Sequence, residues 1–238
     1  MYVDLKGQIQ QAGIKRGRDA IFDIARSNDL LIKKTKLFHI TTDSKHNFYK
    51  SPNLIKNLLP SKSEQVFGAD ITYIRLENDW AYLALVTDLY SKKIMGYKLA
   101  TNMKATMVQE ALRMAMKNCN YNRKKIIHHS DRGIQYCCPQ YADFAIKNKF
   151  RLSTTEQYDP YENAVAERIN GILKYEFGLV NKIPNIDIAH KMVDQAVRIY
   201  NTKRRHWSLD LVTPQEAHNR QKHDYVSYKR GIDERKKC

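Results

Sequence analysis

The 238-residue chain has no apolar run near the roughly 18 residues that a membrane-spanning helix needs, and no leader-like segment opens it. The setting this implies is intracellular. Cysteine is scarce: Cys119, Cys137, Cys138 and Cys238 make no Cys-x-x-Cys pair, and adjacent residues such as Cys137 and Cys138 diverge too far to grip one ion. His128 and His129 fail as a metal pair for the same reason, because neighbours on a strand face opposite sides. Acid is also short, with 25 Asp plus Glu against 41 Lys plus Arg, a formal net charge of +16. Such an excess points to a polyanion, most often nucleic acid, bound through neutralised phosphates and released counterions.

What is present falls into blocks. Residues 1–36 read as helix, with Ile21, Phe22, Ile24 and Ala25 in "GRDAIFDIARSNDLLI" and a basic "KKTK" tail. Residues 37–64 are polar and dotted with aromatics, and Pro52 and Pro60 punctuate them, so they read as a basic linker lying on something else. From residue 66, "VFGADITYIRL", "WAYLALVTD" and "KKIMGYKLA" are strand-like, and their short connections suit antiparallel hairpins. A helix "ATMVQEALRMAMKN", a strand "KKIIHHS", a helix "CPQYADFAIKN" and a strand "FRLS" follow. Helices are expected over 161–177 and 186–202, and the capping box Thr213-Pro214-Gln215-Glu216 opens a last one. This order predicts an α/β domain over 65–222, a mixed sheet of about five strands flanked by helices, with a basic tail at 223–238.

Three acids acquire meaning in this layout. Asp70 begins or sits within the first strand, and Asp131 in "HHSDRGIQY" follows the end of the fourth. Strand ends are the usual place for ligand chemistry in such sheets. Glu167 lies on the helix beginning near 161. If the fourth strand runs beside the first, Asp70 and Asp131 meet, and the helix can add Glu167. Carboxylates gathered in one pocket call for hard divalent cations, Mg²⁺ or Mn²⁺. Two such ions roughly 3.5–4 Å apart can clamp an in-line phosphoryl transfer. Judged singly, each acid is as well explained by a cap or a turn. Asn163, Glu167, Asn170 and Lys174, at spacings of four, three and four, share one helical face. That face suits DNA held at a metal site, or an ordinary solvated stripe. Asp88 reads as a structural strand-end acid, and Trp80 and Trp207 as packing residues.

The blocks "ADITYI", "YLALVTDLYSKKIMGY", "HHSDRGIQY", "YDPYENAVAERINGILKYE" and "RIYNTKRRHWSLDLVTPQEAH", in that order, resemble the catalytic protein of bacterial insertion sequences with a retroviral-integrase-like DDE core. Thirty-five residues separate Asp131 from Glu167, the family's hallmark gap, and Lys174 stands where its basic residue is usual. The resemblance implies an RNase H-like fold with Asp70, Asp131 and Glu167 as catalytic and metal-binding residues, holding two Mg²⁺ or Mn²⁺ ions. It implies nicking at an element end and attack of the freed 3′-OH on another phosphodiester, with no protein nucleophile. It further implies double-stranded DNA as partner (element ends and target), an oligomer on that DNA, and a bacterial cytosolic setting near the nucleoid. Expected DNA contacts are Lys174, Asn163, Asn170, Arg132, Arg204 and His206.

There are departures. Phe67 and Ala69 stand where Trp and a Thr or Ser are usual, Glu162 replaces a common Asp, and Arg205 a common Pro. Residues 1–36 resemble only the last helices of the family's longer helix-turn-helix region, so end recognition can also reside on a separate upstream protein. Two other readings stay open: a catalytically silent DNA-binding relic, and an RNase H-type nuclease acting on RNA–DNA hybrids.

Overall fold

The computed structural model describes residues 2–14, 17–31, 46–119, 126–156 and 163–220. The "KKTK" run, the first part of the 37–64 linker, Pro160, Glu162 and the 223–238 tail lie outside them. The chain divides into two compact units, Met1–Phe38 and His39–Cys238. The first holds two ten-residue helices, α1 (Tyr2–Gln11) and α2 (Arg18–Ser27). Ala25 is buried in α2, whereas Ile24 stays largely exposed.

The second unit is built on a five-stranded sheet. β1 (Val66–Arg75), β2 (Trp80–Asp88) and β3 (Ile94–Ala100) form an antiparallel meander, as the short connections require. The chain then crosses over by α3 (Ala105–Lys117) to β4 (Ile127–Ser130), which lies parallel to β1. The short α4 (Ile134–Cys137) and α5 (Pro139–Lys147) return it to β5 (Arg151–Thr154), parallel to β4. The strand order is β3-β2-β1-β4-β5. This mixed sheet flanked by helices is the expected class. α4 was not legible in advance, because four residues carry no helical period.

Layering follows from the strand period of two. Along β2, Leu83 and Leu85 face one side, and Ala84 and Val86 the other. The run "YLALV" is continuously apolar because both faces are covered. On the first face pack Ile169 and Leu173 of α6 (Ala164–Glu176) and Val193 and Tyr200 of α7 (Ile186–Thr202). On the second pack Met107, Val108 and Leu112 of α3 with Tyr141 and Phe150. Gly96 on β3 admits α3 closely, since a Cβ there would meet the Ala111 carbonyl at 2.1 Å and the Ala115 nitrogen at 2.5 Å. Asn185 caps α7 by accepting from Ile188 N–H at 3.0 Å. α8 (Pro214–Asn219) opens on the anticipated capping box, with both reciprocal bonds made.

The last residues of the 37–64 segment bind this unit directly. Thr154 Oγ1 donates to the Ser51 carbonyl at 2.6 Å, and Leu54 N–H to Ser153 Oγ at 2.9 Å. Leu54, Ile55 and Leu58 pack on Val66 and Ile127. At the far end of β2, Asp88 is fully buried and structural. It accepts from Glu64 N–H, and from Ser91 N–H and Oγ at 2.7 and 2.8 Å. His218 of α8 joins this cluster, lying 3.1 Å from Ser91 Oγ and 3.2 Å from Glu64 Oε1. Ser91, His218 and Glu64 follow one another as in a hydrolytic triad. Ser91 has no exposed surface, however, and its hydroxyl donates to Asp88, so it attacks nothing.

The tryptophans depart from expectation. Trp207, in a 3₁₀ turn after α7, is 78 % exposed, and Trp80 is 43 % exposed. Trp80 opens β2, and its ring meets Tyr73 edge-on at 6.2 Å and the Arg75 guanidinium at 5.8 Å.

Candidate active site

Asp70 sits in the middle of β1, and the β1–β4 ladder ends by pairing Ala69 with Ser130. Asp131 is the next residue after that ladder, so the two aspartates are brought to one place by strand pairing. Asp70, on the α6 face of the sheet, is half-buried, and its Oδ2 accepts from Asn170 Nδ2 of α6 at 2.7 Å. Asn163, at the N-cap of α6, donates to the Ala69 carbonyl at 3.4 Å. These two amides dock α6 on β1 and carry Glu167 between them to the aspartates.

Electrostatics registers this crowding. The Asp70 carboxyl is pushed up to about 7 by its burial, then by the Asp131 charge, with Glu167 adding a smaller push; the Asn170 bond works the other way. Glu167, on an exposed helical position, is raised by partial desolvation and by Asp131. Lys174 is half-buried one turn beyond Asn170. Desolvation lowers it, and the Asp70 charge pulls it back up. Among the described residues, no group of three His, Cys, Asp or Glu side chains stands close enough to hold one ion. The donors themselves are carboxylate oxygens that repel one another, the chemistry a hard divalent cation relieves.

The anticipated stripe of Asn163, Glu167, Asn170 and Lys174 does share a face, but that face is the seam against β1. Its members therefore differ: Asn163 and Asn170 are buried, Lys174 is half-buried, and Glu167 is open. Asn170 is spent on orienting Asp70. Arg132 donates from Nε to the Thr155 carbonyl at 2.6 Å, so part of its fork holds backbone. Arg204 forms a two-pronged pair with Glu176 at 2.6 and 2.7 Å. His206 is buried against the Tyr200 ring, 5.1 Å between centroids, and burial with nearby Arg204 pushes it down to about 3. A neutral buried imidazole is not placed to meet a phosphate. Gly133 has an ordinary extended backbone. The turn comes from Asp131, whose Oδ1 accepts from Gly133 N–H at 3.0 Å. His128 and His129 part as strand neighbours must, His128 to Tyr141 and His129 to Ser153.

Two residues escaped the sequence reading. Tyr136 lines a small cavity with Asp131, Gly133 and Ile71, and its buried hydroxyl has no hydrogen-bond partner among the described residues. Its place in "HHSDRGIQY" was the only signal. His46, inside the segment read as linker, touches the carbonyl of Arg132.

A parallel-antiparallel sheet in this order, with acids on β1, after β4 and on α6, defines the RNase H-like core of a polynucleotidyl transferase. Residues 60–160 and 148–214 match the integrase core domain family. A 31 kDa protein of insertion element IS600 from Shigella sonnei is 32% identical over 212 residues, 88% of this chain and 78% of that one. The transposase InsF of IS3A from Escherichia coli K12 is 30% identical over 200 residues, 82% of this chain and 68% of the other. The chain belongs to the insertion-sequence transposases that carry an integrase core domain.

Solved structures agree on the fold. The catalytic core of HTLV-2 integrase, determined in complex with magnesium, aligns with TM-score 0.54 at 18% identity, over 68% of this chain and 99% of that one. A chain of the simian T-cell lymphotropic virus intasome aligns with TM-score 0.58 at 17% identity; the match covers 74% of this chain and 60% of that one. Among the described residues, no helix is long and apolar enough to cross a membrane.

Proposed function

We propose that Asp70, Asp131 and Glu167 are the metal-binding carboxylates of this transposase and act on double-stranded DNA at element ends. The observation that carries this is the docking of α6 onto β1. Asn170 on Asp70 and Asn163 on Ala69 seat the helix that carries Glu167 against the strand that carries Asp70, which supports this reading. The mutual repulsion of these acids, which raises Asp70 and Glu167 alike, supports a site suited to cations.

Asp70, Asp131 and Glu167 would hold Mg²⁺ or Mn²⁺, one ion or two, which when bound supplies Lewis acidity at the scissile phosphate and at the attacking oxygen. The chain supplies orientation. Asn170 fixes the Asp70 carboxylate, the Gly133 N–H fixes that of Asp131, and Lys174 offers a cation beside Asp70 for a phosphate. In nicking, water forms a bond to phosphorus and the bond to the 3′ oxygen breaks, leaving a 3′-OH. In joining, that hydroxyl attacks a target phosphodiester, whose own 3′ oxygen leaves. Neither step needs a protein nucleophile. Two ends must be joined together, so the working species in this reading is a multimer on DNA.

The test is Mn²⁺-dependent nicking and joining of a labelled duplex carrying the element's own end, wild type beside Glu167→Gln. Joined product in the wild type alone supports the reading. Equal activity in both places the chemistry elsewhere.

A further inference from the structure

Asp131 lies one residue beyond the last rung of the sheet, where Ser130 pairs with both Ala69 and Thr154. The ladder therefore stops short of the residue whose position matters most. Thr155 N–H donates to the Ser130 carbonyl at 3.1 Å, and Arg132 Nε returns to the Thr155 carbonyl at 2.6 Å. A third bond comes from 86 positions away: His46 Nε2 lies 2.8 Å from the Arg132 carbonyl. The other ring nitrogen settles the tautomer. Phe48 N–H donates to Nδ1 at 3.2 Å, so Nδ1 is the acceptor, and Nε2 carries the proton and donates to Arg132. From there the same strap runs along the neighbouring strand end, tied at Ser51 to Thr154 and at Leu54 to Ser153.

We propose that His46 is a positioning residue for the transposition chemistry: its Nε2–H bond to the Arg132 carbonyl holds the turn that presents Asp131 to Asp70. This rests on the reading of Asp70, Asp131 and Glu167 given above. A carboxylate displaced by a fraction of an ångström from its partners loses rate steeply, while the sheet beneath it stays intact. The segment ahead of β1 is thereby part of the site and not only a tether to the N-terminal helices.

The test uses the full chain with His46→Ala and His46→Gln, since a glutamine amide can donate to the same carbonyl. The expected result for His46→Ala is a fall of roughly tenfold in kcat for Mn²⁺-dependent nicking, with the KM for duplex DNA unchanged. Amide hydrogen exchange over residues 131–135 should quicken, and the Mn²⁺ concentration for half-maximal binding should rise. His46→Gln should recover most of each. Unchanged exchange over 131–135 in His46→Ala overturns the proposal. So does a glutamine variant as impaired as alanine with both melting temperatures lowered, because that describes a fold role alone. Asp131→Asn with full activity would instead sink the triad reading, while exchange in the turn still judges the His46 bond.

Discussion

Two places in the same sheet gather carboxylates, and they treat them oppositely. At the end of β2, Asp88 and Glu64 are buried more completely than any acid of the candidate site, yet donors surround them. Glu64 N–H, Ser91 N–H and Ser91 Oγ reach Asp88, and His218 stands beside Glu64. Burial raises Asp88, while His218 and those hydrogen bonds oppose the rise. At β1, burial raises Asp70 as well, but there the neighbouring charges reinforce the rise, because they are Asp131 and Glu167, and only the Asn170 amide and the Ile71 N–H oppose it. An acid whose neighbours already satisfy it holds the fold together. Acids crowded onto other acids raise one another's affinity for a proton, a repulsion that a bound cation relieves.

Substitutions can break this contrast. The largest effect falls on chemistry at the β1 site. Glu167→Gln should lower nicking by more than about 100-fold, the upper end of what losing an outer-sphere partner alone costs, with duplex binding preserved in a filter or mobility assay. His218→Ala should do the reverse. It leaves Glu64 buried beside no imidazole, costs about 3 kcal/mol, and lowers the thermal midpoint by roughly 6–12 °C, with nicking per folded molecule unchanged.

Asp70→Asn tests the contrast through pH. Folded Asp70 titrates at about 7 against an ordinary 3.8, so between those values the folded state binds a proton that the unfolded state releases. The stability this contributes is fully present below about pH 3.8 and is lost as pH rises through about 7. Metal-free Asp70→Asn should therefore melt higher than wild type at about pH 8, by on the order of 1–2 kcal/mol after solvent screening, and alike at about pH 4. Added Mg²⁺ should narrow the gap by stabilising the wild type alone; a gap that grows at low pH would refute the assignment. The smallest effect is expected for Lys174→Ala, which should weaken duplex binding and reduce the salt slope by about one unit if it meets a single phosphate.

Much of the fold was legible because its strands and helices obey their periods. α7 runs from Ile186 to Thr202, the span its pattern indicates, and the capping box opens α8. The mixed sheet followed from hairpin-length connections early and helical crossovers later. The burial of side chains flanking the acids was not legible. Asn170 and Lys174 occupy one stripe in sequence, but only contact with β1 separates a buried orienting amide from a half-buried cation. Arg204 and His206 are expected DNA contacts from the resemblance, and only the structure shows Arg204 paired with Glu176 and His206 packed on Tyr200. Trp207 reads as a packing residue by its type and lies on the surface.

The sequence by itself determined the class of this protein. Local periodicity, turn chemistry and the ordered blocks with their 35-residue gap depend on neighbours along the chain, and those are written in it. Only the tertiary structure decided which polar residues face solvent, which orient an acid, and that His46 reaches Arg132. Such bonds join positions up to 155 residues apart, as between Ser63 and His218, and their partners are chosen by the packing of the sheet and helices.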